Sequence, residues 1–246
     1  MTNKFYEAGA RRGERVRDLF AAVAPRYDLI NDLQSGGLHR WWKRRLLALA
    51  AGQPGERALD LCCGTGDVAL ALARQGLEVV GLDFSEPMLN VAERRLKVES
   101  PKFKAGGSVQ FLRGDAQHVP FPDGSFDIVT ISYGLRNLTD WEAGLREMQR
   151  VARPGGRLLV LDFGKPDNAL WRGVYFAYLR WCVPVLGRVF CGDAETHGYI
   201  LESLMHYAGQ RGVAAKMTEL GLTRTGLVNL LGGVMSINHG EKELRI

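Results

Sequence analysis

The sequence predicts an α/β fold, built on a mainly parallel sheet with helices on both faces. Between residues 57 and 163, short apolar runs alternate with helical patterns, which is the order of elements that a parallel sheet requires. The length of 246 residues, of which 46% are hydrophobic, is enough for one such domain with added segments. Two further strand-like runs near the C-terminus bring the predicted sheet to seven strands.

Each predicted strand is a short apolar run bounded by charged or turn-forming residues. In chain order the predicted strands cover residues 57–62, 78–83, 109–112, 126–132, 157–163, 223–231 and 233–238. Glycines join the last two strands, which we expect at an edge of the sheet.

The segments between the strands carry helical patterns. Residues 67–74 and 139–151 are predicted helices, because their apolar residues recur at helical spacing. Another helix opens at Ser85, whose hydroxyl can cap it, and Pro87 suits its first turn because a missing N–H costs nothing there. Residues 154–156 (Pro-Gly-Gly) predict the turn into the fifth strand.

The two ends of the chain differ from this alternation. Residues 1–50 have helical patterns and are predicted to form a helical cap over the candidate site. Residues 51–246 form the main predicted domain, which contains a helical insertion over residues 165–205, before the last two strands.

Composition and charge exclude several classes of protein. The net charge of +5 is too small to indicate nucleic-acid binding by itself, and the four cysteines form neither a disulfide framework nor a zinc pattern. We expect no metal site. Three arginines and a proline interrupt the longest apolar stretch, residues 169–191, so no membrane-spanning helix is predicted. The first 20 residues lack an apolar core, which predicts a cytoplasmic protein.

A glycine-rich turn after the first strand is the first candidate ligand site. Gly64 and Gly66 let the backbone approach a ligand closely, and the next helix directs its N-terminal amides toward it. Asp60 precedes the turn, and Asp83 ends the second strand, where an acid binds ribose hydroxyls. This spacing fits both S-adenosylmethionine and NAD, so the turn alone does not separate these cofactors.

Motifs further along the chain distinguish between the two cofactors. Asp115 and Ala116 follow the third strand, as a carboxylate and a small residue would beside an adenine edge. Residues 121–127 and 153–157 lead into the fourth and fifth strands. This ordered set resembles class I methyltransferases, which implies a Rossmann-like sheet and S-adenosyl-L-methionine as the cofactor. The acids after the first three strands are expected to converge on one crevice.

Two segments carry a narrower resemblance. Residues 27–31 (Tyr-Asp-Leu-Ile-Asn), with Ser35 and residues 39–41, form the first segment, and residues 133–140 (Tyr-Gly-Leu-Arg-Asn-Leu-Thr-Asp) form the second. Both resemble signatures of the ubiquinone/menaquinone biosynthesis C-methyltransferase family. The similarity covers nearly the whole chain, as far as residues 232–240.

The family resemblance implies a reaction. It is the C-methylation of a polyprenylated quinol ring: demethylmenaquinol to menaquinol, or the methoxy-benzoquinol step of ubiquinone synthesis. This sequence departs from the family pattern at Ile30, where Met is usual, and at Asp162 and Phe163, where the family has Glu-x-Ser or Glu-x-Thr. The choice between a naphthoquinol and a benzoquinol acceptor stays open.

The predicted cofactor-binding residues follow the glycine-rich turn and the ends of the next strands. They are Asp60, Gly64, Thr65, Gly66, Asp83, Phe84, Met88, Asp115, Ala116 and Ser132. By the resemblance, Asp83 would accept the ribose hydroxyls, and Asp115 with the Ala116 amide would bind the adenine. Ser132 would lie beside the methionine part and the transferring methyl.

The predicted catalytic residues are Arg136, Asn137 and Tyr27. A quinol carbon becomes nucleophilic once a ring hydroxyl loses its proton, so the site must align the reacting atoms and stabilise a phenolate. Arginine stays protonated, so Arg136 is predicted to stabilise the quinolate or polarise a water, with Asn137 orienting a ring oxygen. Asn31 and Tyr133 are the predicted substrate-binding residues. His39 and His118 are alternative bases, although packing, capping or surface roles also fit them.

Partner predictions rest on aromatic and basic segments. Residues 170–181 are rich in aromatic side chains, and residues 41–45 pair tryptophans with cations. Both fit either a lid or contact with an isoprenoid tail at the inner face of a membrane. The quinol is the predicted substrate, nucleic acid is not an expected partner, and a homodimer paired through C-terminal edge strands stays open.

Other functions use parts of the same pattern. A class I methyltransferase that acts on another lipid or a small aromatic acceptor fits the same fold. An NAD-binding oxidoreductase would rest only on the spacing from Gly64 to Ala69 and on Asp83. A nucleic-acid methyltransferase is disfavoured, because Ser-Tyr-Gly-Leu at residues 132–135 stands in place of an Asn-Pro-Pro-Tyr motif.

Overall fold

Seven strands form a single sheet in the computed structural model, which describes residues 12–185, 188 and 195–244. The strands are β1 Arg57–Leu61, β2 Glu78–Asp83, β3 Ser108–Arg113, β4 Phe126–Ser132, β5 Ala152–Phe163, β6 Leu222–Leu230 and β7 Met235–Lys242. Their order across the sheet is β3-β2-β1-β4-β5-β7-β6. Neighbouring strands from β3 to β5 are parallel, whereas β7 is antiparallel to both β5 and β6. The predicted fold class is confirmed.

Helices cover both faces of this sheet. They are α1 Arg12–Val23, α2 Tyr27–Ser35, α3 Leu38–Ala50, α4 Asp67–Ala73, α5 Glu86–Glu99, α6 Trp141–Val151, α7 Ala169–Ala177, α8 Glu195–His206 and α9 Gly209–Glu219. Alternate residues of β5 enter different clusters: Leu158 packs with residues of α6 and α9, and Leu159 with residues of α3 and α4. This alternation buries the sheet on both sides, as a parallel sheet requires.

Three elements differ from their predicted bounds by two residues or more at one end or both, and the other predicted elements differ by at most one residue. β5 begins at Ala152, before the predicted Pro-Gly-Gly turn, because Ala152 pairs with Phe126 and the register then shifts. α6 begins at Trp141, because Asp140 is extended and its carboxylate accepts the first free N–H groups of the helix. β7 continues to Lys242, since it pairs with strands on both sides.

Two further predictions need correction. Ser85 precedes α5 with an extended backbone, but its hydroxyl makes no capping hydrogen bond. Helix α9 was not predicted, although Val213 and Met217, four residues apart, form its buried side. Of the two C-terminal strands, only β6 lies at an edge of the sheet.

Several predictions concern residues that the structure leaves undescribed. These residues are the start of the helical cap (residues 1–11) and residues 186–187 and 189–194 of the insertion, which include Cys191. Within the described part of the insertion, α7 continues through a π-helical turn at Tyr178–Cys182. No helix in the described part of the chain is long and apolar enough to cross a membrane.

The loops after β1 and β4 touch each other at the carboxyl edge of the sheet. Cys62 and Tyr133 both have positive φ, 51° and 60°, which is uncommon for residues other than glycine. A Cβ atom on Gly134 would lie 2.5 Å from Cβ of Cys62. Only glycine therefore fits between the two loops that follow the central strands.

Replacing Gly134 by Ala is expected to destabilise the protein by about 1–3 kcal/mol, as overpacking does in a well-packed interior. The matched control is Gly173→Ala, where a Cβ would meet nothing within 4 Å on the surface of α7. Urea unfolding gives the free energy of unfolding of both variants. For the control this free energy should equal that of the wild type or be slightly higher. Equal stabilities for the two variants would contradict the close contact at Gly134.

Candidate active site

A cavity at the carboxyl ends of β1, β2 and β4 contains most of the predicted site residues and is called the main cavity below. It measures about 350 Å³, within the usual range for small-molecule sites. Cys62, Asp83 and Ser132, at or just beyond the ends of these strands, contribute to its wall. This is the crevice where sheets of this topology bind ligands.

Asp83 joins the loops that follow β1 and β2. Its carboxylate accepts one hydrogen bond from the Gly64 N–H and another from the Ser85 N–H, both at 2.8 Å. The side chain is buried, and this burial raises its pKa to about 6 despite these hydrogen bonds. A carboxylate has about four lone-pair sites, so Asp83 retains capacity for ligand hydroxyls in the main cavity.

Asp60 lies beneath the glycine-rich turn and outside the cavity wall. It is 1% exposed and accepts a hydrogen bond of 2.7 Å from the Thr130 hydroxyl. Burial raises its pKa to about 7, an effect that the Thr130 hydrogen bond and the charge of Lys43 only partly offset. Asp60 therefore supports the turn from inside the protein.

The glycine-rich turn is left-handed at both glycines. Gly64 and Gly66 have φ of 55° and 84°. A Cβ on Gly64 would meet nothing within 4 Å, so the backbone there is open to a ligand. A Cβ on Gly66 would lie 2.8 Å from the ring of Phe111, so this glycine serves packing.

Ion pairs fasten the N-terminal helices to the same turn. The Thr65 hydroxyl donates to Asp28 of α2 at 3.0 Å, and Arg95 of α5 donates to the other oxygen of Asp28. Asp67, at the start of α4, accepts from Lys43 and Arg95. Burial raises the pKa of Asp67, but these two cations outweigh it and lower the pKa to about 2.

Asp115 lies at the mouth of the main cavity, with its side chain 49% exposed. Partial burial raises its pKa, but hydrogen bonds from Gln117 and His118 outweigh this and lower it. Ala116 is buried behind Asp115 and is not part of the cavity wall. The side chain of His118 is 86% exposed and lies 3.3 Å from Asp115, so it does not face the reacting region.

The wall formed after β4 carries polar atoms that have no partner among the described residues. They include the Ser132 hydroxyl and the Asn137 side-chain oxygen, both buried. The Asn137 amide nitrogen is fixed, because it donates to the Tyr133 carbonyl at 2.9 Å. Buried polar groups are normally hydrogen-bonded, so these two atoms are candidate contacts for a ligand.

Arg136 is one layer deeper than predicted. It is 5% exposed and lines a second cavity of about 70 Å³, instead of facing the main one. Its guanidinium donates to Asp162 at 2.6 Å and to the Tyr133 carbonyl at 2.7 Å, and it stacks over the ring of Phe163. The pair with Asp162 holds the pKa of Arg136 above its ordinary value, although burial acts to lower it. Arg136 is therefore a buried cation that Asp162 holds one layer behind the main cavity.

Tyr27 and Tyr133 separate the main cavity from its neighbours. Tyr27 lines the main and second cavities, and Tyr133 lines these two and a third cavity, also of about 70 Å³. Asn31 lines the second and third cavities. Burial raises the pKa of Tyr27, against the charges of Lys43 and Arg136, which lower it.

The structure brings most predicted site residues to these cavities. The main cavity is lined by Tyr27, Gly64, Asp83, Phe84, Met88, Asp115, Ser132, Tyr133 and Asn137. Arg136 and Asn31 line the second cavity. The predicted cofactor residues Asp60, Thr65, Gly66 and Ala116 are not part of these walls, and their contacts stay predictions.

Residues of α1 form a wall that the sequence did not identify. Val16, Arg17 and Phe20 line the main cavity from this helix. Helix α1 has no motif that would mark these positions, although the cap was predicted as a whole. Gln117, two residues after Asp115, also lines the cavity and could have been inferred from its neighbour.

The fold is that of class I methyltransferases. A crystal structure of a SAM-dependent methyltransferase from Aquifex aeolicus has the same fold, with a TM-score of 0.56 over 81% of this chain and 89% of that chain. Its sequence is 18% identical, so the similarity concerns the fold alone.

The chain belongs to the ubiE/COQ5 methyltransferase family, whose family model matches residues 9–242. A ubiquinone/menaquinone biosynthesis C-methyltransferase UbiE from Ectopseudomonas mendocina is 42% identical, covering 95% of this chain and 91% of that protein. One of the same name from Azotobacter vinelandii is 40% identical, covering 95% and 92%. The predicted family is confirmed, and with it the prediction of a methyltransferase. The predicted cofactor and C-methylation agree with these relatives.

The burial of Asp60 predicts a dependence of stability on pH. Its folded pKa of about 7 lies above the unfolded value. The folded state therefore favours the protonated acid, and this contribution to stability is full below about pH 4 and is lost as the pH rises through about 7. Relative to Asp60→Asn, the wild type should lose about 2–3 kcal/mol of unfolding free energy between pH 5 and pH 8.

Urea unfolding of both proteins at the two pH values measures this difference. In Asp60→Asn the side chain keeps an oxygen that can accept the hydrogen bond from the Thr130 hydroxyl. The variant therefore removes only the negative charge. A difference between wild type and variant that does not change with pH would contradict the raised pKa of Asp60.

Proposed function

We propose that this chain transfers the methyl group of S-adenosylmethionine to a ring carbon of a polyprenylated quinol, either demethylmenaquinol or the methoxy-benzoquinol of ubiquinone synthesis. One observation carries the proposal. The two segments that carry the family signatures, residues 27–31 and 133–140, are distant in sequence but meet at the border of the main cavity through Tyr27, Tyr133 and Asn137. The two relatives described above are C-methyltransferases of ubiquinone and menaquinone biosynthesis.

The residues of the main cavity fit the cofactor. S-adenosylmethionine supplies an electrophilic methyl group on a sulfonium. Asp83 has free acceptor capacity for the ribose hydroxyls, and Asp115 lies at the mouth of the cavity for the adenine. The unpartnered hydroxyl of Ser132 would accompany the methionine part. The open backbone at Gly64 admits the ligand between these groups.

The acceptor ring would lie beside the wall after β4. Asn137 offers a free side-chain oxygen there, which accepts a ring hydroxyl and fixes the orientation of the ring. Arg136 acts from the second cavity: its charge stabilises the phenolate as the ring hydroxyl loses its proton. Because Asp162 and the Tyr133 carbonyl hold the guanidinium, Arg136 also fixes the position of Tyr133 and Asn137.

The direct test is methyl transfer from labelled S-adenosylmethionine to reduced demethylmenaquinone and to its benzoquinol counterpart. We expect labelled methyl on a ring carbon of at least one of them, and a loss of about 10–100-fold in kcat for Asn137→Ala. Transfer to a small aromatic acid but to neither quinol would favour the other methyltransferase function. Binding of NADH without S-adenosylhomocysteine would favour an oxidoreductase.

Asp83→Asn should weaken the binding of S-adenosylhomocysteine about 10–100-fold, because hydrogen bonds to a charged acceptor contribute about 1.5–3 kcal/mol. The matched control is Asp127→Asn, at the opposite end of the sheet, where Asp127 pairs with Arg153. Isothermal titration calorimetry measures both variants. Equal affinity for Asp83→Asn and wild type would remove Asp83 from the cofactor site.

We also propose peripheral contact with an anionic membrane through one face of α7 and its continuation. Leu170, Val174, Trp181 and Val185 are 81%, 52%, 70% and 60% exposed and recur at helical spacing. Such a contiguous apolar face is unusual for a protein surface that meets only water. Tyr178, on the same face, donates to the carbonyl of Gln34 in α2 and so joins this face to the cap.

The cations beside this face favour a lipid surface as its partner. Arg180 and Arg188 are exposed on the same segment, and Arg44 and Arg45 are exposed on α3. Cations next to buried apolar side chains are the usual means by which interfacial helices bind anionic lipid. A polyprenyl tail would reach the protein from that surface.

Leu170→Glu combined with Trp181→Glu should abolish flotation with liposomes that contain anionic lipid. The matched control is Val98→Glu on α5, where Val98 is 67% exposed and outside the apolar face. The control protein should float like the wild type, and all three proteins should bind S-adenosylhomocysteine equally. Wild-type protein that does not float would refute the membrane contact.

A homodimer is the remaining partner prediction. Because β7 is paired on both sides, strand pairing between two copies would use β6.

A further inference from the structure

The third cavity has a mostly apolar and aromatic lining, in which several polar atoms have no hydrogen-bond partner among the described residues. Four of its lining residues carry such a buried polar atom: the Asn31 side-chain nitrogen, the Trp42 indole N–H, the Tyr133 hydroxyl and the Tyr175 hydroxyl. Its volume of about 70 Å³ is about half of the 150 Å³ that admits a benzene ring. A site with these partners and this size suits a few water molecules and not a quinol ring.

His39 connects this cavity to the protein surface. The imidazole lines the cavity and is 5% exposed. Its Nδ1 lies 3.3 Å from the Ser35 hydroxyl, which also lines the cavity. Its Nε2 lies 3.6 Å from Asp32, a residue whose side chain is 30% exposed and pairs with Arg40. The order is therefore cavity, Ser35, His39, Asp32 and solvent.

The reaction requires such a route. When the new carbon–carbon bond forms, the methyl–sulfur bond breaks and its electron pair stays on the sulfur, which loses its positive charge. Because the ring hydroxyl has already lost its proton, the methylated carbon then gives up its own proton while the ring oxygen regains one, which restores the aromatic ring and the hydroxyl. The net result is one proton released per methyl transferred, and neither Asn137 at the cavity wall nor Arg136 behind it accepts a proton at neutral pH.

From these observations, and resting on the proposed function, we infer that Ser35 and His39 form a proton relay that carries this proton from the acceptor site to solvent. Tyr133, which borders all three cavities, adjoins both the reacting ring and the water of the third cavity. That water passes a proton to the Ser35 hydroxyl as Ser35 gives its own to Nδ1 of His39. The imidazolium then releases its Nε2 proton to solvent beside Asp32.

The charges around His39 keep it ready to accept a proton. Burial lowers its pKa, and so do Lys43 and Arg40, whereas Asp32 and Asp67 raise it, with a net lowering. The imidazole is therefore neutral at pH 7 and holds a free nitrogen. Asp32 stays ionised beside Arg40, which lowers its pKa, so it stabilises the transient imidazolium without taking the proton.

The hydrogen bonds in the structure allow the relay to begin. The Ser35 hydroxyl donates to the Asn31 carbonyl at 2.6 Å. The oxygen of the same hydroxyl accepts from the His39 backbone N–H. Rotation of this hydroxyl toward Nδ1 begins the transfer, and the imidazole must return to its starting tautomer before the next turnover. Ser35 and His39 act through water, so both are positioning residues and neither touches the acceptor ring.

The test compares the pH dependence of kcat for wild type, His39→Gln, Ser35→Ala and the control His206→Gln, with His206 exposed on α8. The wild-type and control rates should fall at low pH with an apparent pKa below the ordinary value for histidine. His39→Gln should lose this acid limb and about 10–100-fold in kcat at pH 8, with part of the rate restored by added imidazole. Ser35→Ala should lower kcat, and all variants should keep wild-type affinity for S-adenosylhomocysteine.

The possible failures are distinguishable. A His39→Gln enzyme that keeps the acid limb, or that gains nothing from imidazole, would overturn the relay while the proposed function stands. Loss of cofactor affinity in parallel with kcat would make His39 a structural residue and would also overturn the relay. A wild-type enzyme that methylates no quinol would overturn the proposed function and the relay together.

Discussion

The buried pair of Arg136 and Asp162 holds together the part of the sheet edge where the cavities meet. Asp162 receives both the guanidinium and the backbone N–H of Arg136, so the end of β5 fixes the turn that follows β4. The same guanidinium binds the Tyr133 carbonyl, which also accepts from Asn137. Removing one partner of such a pair leaves an uncompensated buried charge and costs about 3–5 kcal/mol. The wall between the cavities therefore depends on this pair, although the family usually has glutamate in place of Asp162.

The N-terminal helices depend on charge in a similar way. Asp28 and Lys43, from α2 and α3, bind Arg95 and Asp67 beside the glycine-rich turn, so the cap is tied to the loop that we assign to the cofactor. This connection places the first family signature against the second. The proposed sites for the methyl donor and for the quinol then share a border, and the cap contributes residues to all three cavities.

The sequence was sufficient for features that follow from local chemistry, and insufficient for those that depend on packing. The strand periods, the glycine turn and the acids after the strands predicted the sheet and most of the main cavity. The sequence placed Arg136 correctly after β4, but its burial depends on Asp162, a residue 26 positions away whose role no spacing reveals. The α1 wall belongs to a helix without a motif, and the third cavity forms where the two signature segments meet residues of the insertion. Both depend on tertiary contacts that no local pattern predicts. His39 was one of two histidine candidates, and only burial distinguished it from the exposed His118.

The central claim is that the main cavity holds the methyl donor with its reactive end at the wall after β4. A crystal structure of the protein with S-adenosylhomocysteine tests it most directly. We expect the ribose hydroxyls on Asp83, the adenine beside Asp115, and the sulfur facing Ser132 and Tyr133. A ligand bound in the reverse direction, or outside the cavity lined by these residues, would contradict the assignment of the donor and acceptor sites.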